Sequence, residues 1–201
     1  MTHIILASNS PRRKEILSNL GLKFQVISPD IEEKTTQNAA NLAVEELALQ
    51  KASAVYEILK QRNEEEQKNT LIIAADTVVV HGLKILGKPK TASAATKMLQ
   101  RLRNDTHFVM TGIAMILNGK VACQSELTKI HFTDIPDNEL DDYVKSKEPM
   151  DKAGGYGIQG KAALWIDRIE GDYFNVVGFP VHRFYAMLEN LNLTFNDLEK
   201  E

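Results

Sequence analysis

Cysteine occurs once, at Cys123, in a chain of 201 residues. A single cysteine excludes an internal disulfide framework and any Cys-rich zinc site. No apolar run approaches the roughly 20 residues of a membrane-spanning helix, so no membrane partner is expected. Positive charge is also scarce: 24 Lys and Arg stand against 27 Asp and Glu, a formal net charge of −3. That balance argues against a nucleic-acid polymer as partner, which needs a basic footprint. Met1-Thr2-His3-Ile4 leads into an apolar segment with no basic stretch before it, so a signal peptide is not expected. The histidines show no metal-binding spacing, and neither a Walker sequence nor G-x-S-x-G appears. The expectation that remains is a soluble, cytoplasmic, globular protein. At about 150 residues per domain, the length corresponds to one domain over 1–201, or one domain in two lobes.

The apolar periodicity predicts alternating strands and helices. His3 to Ser8 reads as a buried strand, and Ser10-Pro11 as the cap and first turn of a helix that stops at Gly21. Phe24 to Ile27 reads as a second strand, followed by a polar loop from Ser28 to Asn38. A long helix is predicted from Ala39 to about Arg62, ended by the charged stretch Gln61 to Asn69. Leu71 to Ala75 reads as a buried strand, and Val78-Val79-Val80 with Ile85-Leu86 as a hairpin. Ala92 to Arg103 is predicted helical. Asn118-Gly119 joins two β-rich runs, Phe108 to Leu117 and Val121 to Phe132, a strong hairpin signal. Asp137 to Ser146 reads as a short helix, Ala163 to Ile169 as a strand, and Pro180 to Leu191 as a final helix. Alternating elements with long hairpins predict an α/β fold with a mixed sheet.

Five places carry possible chemistry. The first is Ser8-Asn9-Ser10-Pro11-Arg12-Arg13, where a strand passes through a polar loop into a helix. The first helical turn usually carries acids; here Arg12, Arg13 and Lys14 stand against the helix dipole. An anion bound by backbone N–H groups, hydroxyls and guanidinium forks accounts for this. The other reading turns the arginines to solvent or pairs them with Glu15 or a distant carboxylate. The second is Asp76, directly after Leu71 to Ala75. The carboxyl end of a strand is where α/β proteins place ligands, so Asp76 is a candidate general base or metal ligand, or else simply a turn cap. The third is Lys51: on a helical projection Val44, Leu47, Val55 and Ile58 surround it, so it is expected in the middle of the apolar stripe. Such a lysine either reaches an anionic partner or snorkels at the edge. The fourth pairs two weak signals, Lys88 in Leu86-Gly87-Lys88-Pro89 and the loop acids Glu32-Glu33; the default for both is solvation. The fifth is Gly154-Gly155-Tyr156-Gly157-Ile158-Gln159-Gly160. It matches G-x-G-x-x-G only formally, because neither a strand before it nor a helix after it is predicted, so nicotinamide-dinucleotide binding is rejected. It reads as a loop shaped for close approach to a ligand, with Gln159 offering a donor and an acceptor, or as a tight structural turn.

Several of these segments together resemble the Maf family of nucleoside triphosphate pyrophosphatases. Ile4 to Arg13 resembles its N-terminal motif. Ala75-Asp76-Thr77-Val78-Val79 with Leu86-Gly87-Lys88-Pro89 resembles its central one, and Thr111-Gly112 takes the usual strand position. Lys152 to Gly160 and Asn175-Val176-Val177-Gly178-Phe179-Pro180 resemble its C-terminal motifs. Asn9 and Phe174 depart from the pattern without removing a catalytic group. The resemblance implies an inosine-triphosphatase-like (Maf/Ham1 type) fold, two lobes around a central cleft, often as a homodimer. It implies metal-assisted hydrolysis of a nucleoside triphosphate to the monophosphate and pyrophosphate. Asp76 would be the catalytic carboxylate. Arg12, Thr77 and Gln159 would take part in substrate choice, and Arg13, Glu33, Lys51 and Lys88 would be further active-site residues, with Ser8 in the N-terminal motif. Asp76 and Glu33 would hold Mg²⁺ or Mn²⁺, which the lack of cysteine favours over zinc. The Tyr-Gly-Ile-Gln-Gly form of the glycine segment resembles the branch acting on dTTP and UTP. A branch acting on 7-methyl-GTP, and a regulatory nucleotide-binding role in cell division with weak hydrolysis, are the alternatives.

Overall fold

A computed structural model describes residues 2–62 and 68–199. Part of the charged stretch expected to end the long helix, 63–67, lies outside the described residues. In chain order the strands are β1 (His3–Leu6), β2 (Gln25–Val26), β3 (Thr70–His81), β4 (Lys84–Leu86), β5 (Thr106–Leu117), β6 (Lys120–Phe132) and β7 (Ile166–Glu170). The helices are α1 (Pro11–Asn19), α2 (Ala40–Arg62), α3 (Ala92–Leu102), α4 (Asp137–Lys145), α5 (Tyr173–Val177), α6 (Val181–Leu188) and α7 (Asn196–Glu199). The strands form one mixed sheet in the order β2-β1-β3-β5-β6-β7, with β4 paired to β3. β1 runs parallel to β2 and β3, whereas β4 and β7 are antiparallel to their neighbours. The expected mixed α/β architecture is therefore observed.

Two expectations are corrected. Leu71 to Ala75 and Val78 to Val80 are not separate strands: β3 runs unbroken through Asp76 and Thr77. The β-branched Thr77 and Val78 to Val80 keep the backbone extended, and one intervening aspartate does not break it. Asp76 is thus neither at a strand end nor a turn cap. Ala163 to Trp165 is not strand: Lys161–Trp165 forms a 3₁₀ helix, and β7 begins at Ile166. A short apolar run does not by its pattern distinguish a strand from a helical turn. The short helices α5 and α7 were not anticipated.

The chain divides into two compact units. The first comprises Met1–Asp76, Thr111–Glu126 and Gly178–Glu201; the second comprises Thr77–Met110 and Leu127–Val177. In the first unit, Ala48, Ala52, Val55 and Leu59 of α2 form a core with Ile5, Ala7, Ile72, Ala74, Ala114 and Ile116. The many alanines let helix and sheet backbones approach closely. One such approach is at Gly112, where a Cβ would meet the Val44 carbonyl carbon and oxygen at 2.5 Å. Backbone cannot retreat as a side chain can, so this strand position accepts only glycine. The fully buried stripe of α2 runs Val44, Ala48, Ala52, Val55 and Leu59, which puts Lys51 on its edge rather than at its centre.

The second unit is held by larger side chains. Val79, Leu99, Leu102, Val109, Phe132, Leu140, Tyr143, Tyr156 and Trp165 belong to one cluster. His107 is wholly buried in it, edge-on to Phe132 and Tyr156 at ring separations of 4.9 and 5.3 Å. Its Nε2 lies 2.6 Å from the Tyr156 hydroxyl. Its Nδ1 has no partner among the described residues. Burial drives the His107 pKa from 6.5 down to about 3, so the ring is neutral at neutral pH.

An unfolded chain protonates this imidazole near pH 6.5, whereas the folded one refuses the proton until about pH 3. Stability must therefore fall on acidification below 6.5, by on the order of 3 kcal/mol at pH 4 from this group alone. Urea titrations of the wild type and His107→Gln between pH 7 and pH 4 measure it. The expected result is a markedly shallower pH dependence in the variant.

Candidate functional site

The first unit builds the site from the carboxyl end of β1. The Ala7 amide donates to the Ile73 carbonyl at 2.7 Å, after which the chain leaves the sheet. Ser8 follows, buried, and its hydroxyl oxygen accepts from the Ser10 amide at 3.2 Å and from Arg13 Nη1 at 3.1 Å. Arg13 Nε also donates to the Gly178 carbonyl at 2.9 Å. The guanidinium is thus buried rather than turned to solvent. It fastens the loop after β1 to the start of the C-terminal segment. Ser10 occupies the N-cap of α1 without a side-chain cap bond, and no acid stands in the first turn. Burial pulls the Arg13 pKa below its ordinary value; the neighbouring Arg12 adds to this, while Asp76 and Glu33 oppose it. Those opposing effects show that a buried cation and two carboxylates share one electrostatic neighbourhood.

The centre of that neighbourhood is Lys51. Its ammonium lies 2.6 Å from Asp76 Oδ1 and 2.9 Å from Glu33 Oε2. The lysine and aspartate side chains are only 12% and 14% exposed, so this is not a solvated surface pair. Each partner arrives on a different element. α2 carries Lys51, whose stem passes along the edge of the apolar stripe. β3 carries Asp76, three residues beyond Ile73, the last residue that pairs with β1. Glu33 comes from the loop between β2 and α2, which docks on the helix. There Gln50 Nε2 donates to the Lys34 carbonyl at 2.7 Å, and Thr35 Oγ1 donates to Glu46 at 2.6 Å. Glu32 pairs instead with Lys34 in solvent. Among the described residues, no group of three or more His, Cys, Asp or Glu side chains converges on a point.

Ser8, Arg13, Lys51, Asp76 and Glu33 are thus gathered in the first unit, with Arg12 half-buried beside Arg13. The other candidates lie in the second unit. Thr77 follows Asp76 on β3 and is half-buried, and Lys88 is exposed just after β4. Gln159 is exposed within the glycine loop. That loop is tied to the Lys88 segment by the Gly154 amide, which donates to the Gly87 carbonyl at 3.0 Å. Gly154 and Gly155 both have positive φ, and a Cβ on Gly154 would lie 2.8 Å from Val79 Cγ2. Asn175 is wholly buried and donates to the Val109 carbonyl and to Thr128 Oγ1, a structural role. Two groups went unseen in the sequence: the Gly178 carbonyl that receives Arg13, and the side chains that support the glycine loop. A backbone acceptor leaves no trace in composition.

A family model described as "Maf-like protein" matches residues 3–191. The chain belongs to the Maf family. It is 46% identical over 193 residues to the dTTP/UTP pyrophosphatase of Alkaliphilus oremlandii (strain OhILAs), covering 94% of this chain and 96% of that protein. It is 43% identical over 194 residues to the dTTP/UTP pyrophosphatase of Bacillus cereus (strain AH820), covering 96% and 97% respectively.

Because Arg13 bridges Ser8 and Gly178 through two nitrogens of one planar fork, a lysine there cannot reproduce both bonds. Arg13→Lys is expected to destabilise the protein by about 1–3 kcal/mol through the acceptors it leaves unmatched. Chemical denaturation at pH 7 checks this.

Proposed function

We propose that this protein hydrolyses dTTP and UTP to the monophosphate and pyrophosphate. The observation that carries the reading is the Lys51 ammonium held between Asp76 and Glu33, with the buried Arg13 alongside, in a chain 46% identical to a dTTP/UTP pyrophosphatase. Arg12, Arg13 and Lys51 supply positive charge for a triphosphate of charge near −4, and Lys88 is a further candidate cation. Asp76 is the candidate to accept a proton from the attacking water, in keeping with a carboxylate that sits inside a rigid strand. The cations stabilise charge that builds on the phosphate oxygens and on the departing pyrophosphate. Gln159, with Thr77, is the candidate for base recognition. A uracil or thymine edge offers acceptor, donor and acceptor in turn, which one amide and nearby backbone groups can match.

The donor set also fits a divalent metal of the magnesium or manganese kind. Asp76 and Glu33 each bring an oxygen within reach of one ammonium, so both are already aimed at a single cation. Two carboxylates suffice for an ion that completes its shell with water and phosphate oxygens. When bound, such an ion would polarise the phosphate and lower the pKa of a bound water. A homodimer in the cytoplasm, acting on free nucleotides rather than on nucleic acid, completes the proposal.

Pyrophosphate release from a panel of NTPs and dNTPs, with 7-methyl-GTP included, tests the substrate. Turnover confined to 7-methyl-GTP, or absent with every nucleotide, overturns the reading. Asp76→Asn is expected to abolish release while the circular dichroism spectrum is kept; near-normal turnover would remove Asp76 from the chemistry. Lys51→Ala should slow turnover at least about tenfold, equivalent to about 1.4 kcal/mol of barrier, in steady-state assays.

A further inference from the structure

The glycine loop rests on a side-chain brace that none of its sequence signals disclosed. Tyr143, on α4, is 1% exposed, and its hydroxyl works in both directions. It donates to Glu148 Oε1 at 3.1 Å and accepts from the Gly157 amide at 3.2 Å. Glu148 opens the short 3₁₀ helix Glu148–Asp151 that precedes the loop. Its carboxylate lies directly against Gly160, so closely that a Cβ on Gly160 would overlap Glu148 Oε1. Lys152 completes the support. Its Nζ donates to the Glu148 carbonyl at 2.8 Å, and its stem fills the space where a Cβ on Gly157 would stand, 2.7 Å from Cε. Tyr156, one residue earlier, is anchored into the core by His107. Gln159 is exposed between Gly157 and Gly160, the two residues on which the brace acts.

We propose that Tyr143 and Glu148 are positioning residues for nucleobase recognition, holding Gly157 and Gly160 so that Gln159 is presented to a uracil or thymine edge. The proposal rests on the base-recognition reading of Gln159 given above. An amide fixed before the nucleotide arrives loses less freedom on binding, and it rejects a base whose donors and acceptors are reversed. Cytosine is such a base at its 4-position and N3. Burial pushes the Tyr143 hydroxyl well above its ordinary value, so it keeps its proton and remains a donor to Glu148 at every pH where the enzyme works. Tyr143→Phe leaves the Gly157 amide without its acceptor. Glu148→Ala removes the acceptor of the Tyr143 hydroxyl and the contact on Gly160. Gly160→Ala pushes the flexible end of Glu148 aside without deleting it.

The test is the kcat and KM of these variants for UTP, dTTP and CTP, with Gln159→Ala as reference. Tyr143→Phe and Glu148→Ala are expected to raise KM for UTP and dTTP about tenfold, to change kcat less than about threefold, and to reduce the preference for UTP over CTP. Gly160→Ala should match Glu148→Ala. Glu148→Gln, which still accepts from Tyr143, should recover most of the loss, a rescue that general destabilisation would not give. The isosteric Tyr143→Phe keeps the test decisive if Glu148→Ala folds poorly. Unchanged KM and base preference in Tyr143→Phe, alongside a loss in Gln159→Ala, overturns the brace and leaves the base reading standing. An unchanged preference in Gln159→Ala overturns both.

Discussion

One ammonium organises the first unit. Lys51 joins a helix, a strand and a loop by ending on carboxylates from the latter two. Without it, a mostly buried Asp76 and a half-exposed Glu33 would face each other as two negative charges, a configuration that like-charge repulsion opposes. With it, one of the two negative charges is offset at contact distance, and the buried Arg13 adds a second positive charge to the same neighbourhood. A lysine on a long flexible stem suits this place, because its compact charge can serve two carboxylates from different elements at once. The planar fork of Arg13 reaches Ser8 and Gly178, which ties the loop after β1 to the C-terminal segment.

The precision of that ammonium comes from backbone packing some two turns away. α2 lies against β5 with glycine at the point of contact and alanines around it. Small residues shorten the distance between helix and sheet and leave little slack for rotation of the helix about its axis. The charge of Lys51 is therefore placed by residues that carry no charge. The second unit solves its packing with rings instead: His107, Phe132 and Tyr156 meet edge to face, and Tyr143 meets Trp165 in the same way at 5.2 Å. Such contacts are directional and hold the glycine loop at a defined angle.

Much of this was legible in the sequence. Long elements with clear periodicity, such as α2, α3 and the β5–β6 hairpin, fall within a residue or two of where the pattern places them. Asn118 and Gly119 both take the positive φ that a tight hairpin turn demands. Lys51 was conspicuous because a charge on an apolar stripe needs a partner. The unbroken course of β3 through Asp76 was not legible, since a single aspartate among β-formers reads equally well as a stop. Nor was the committed state of Arg13: its sequence neighbours suggest an anion, and its partners are a serine five residues back and a carbonyl 165 residues away. The Tyr143 brace was hidden for a related reason. A tyrosine on the apolar side of a short helix looks like core, and only the fold shows where its hydroxyl emerges.

Cys123 has a consequence for how the protein meets its chemical surroundings. Its thiol is half-buried, donates to the Glu45 carbonyl at 3.4 Å, and has its pKa pushed up to about 11 by burial and by Glu45. At neutral pH roughly one molecule in ten thousand carries a thiolate there, and only the thiolate reacts readily with peroxides, disulfides or alkylating agents. The one thiol of the chain is thus a weak nucleophile. Cys123 therefore belongs with the packing of α2 against the sheet, through its contact with the Glu45 carbonyl, rather than with reactive thiols.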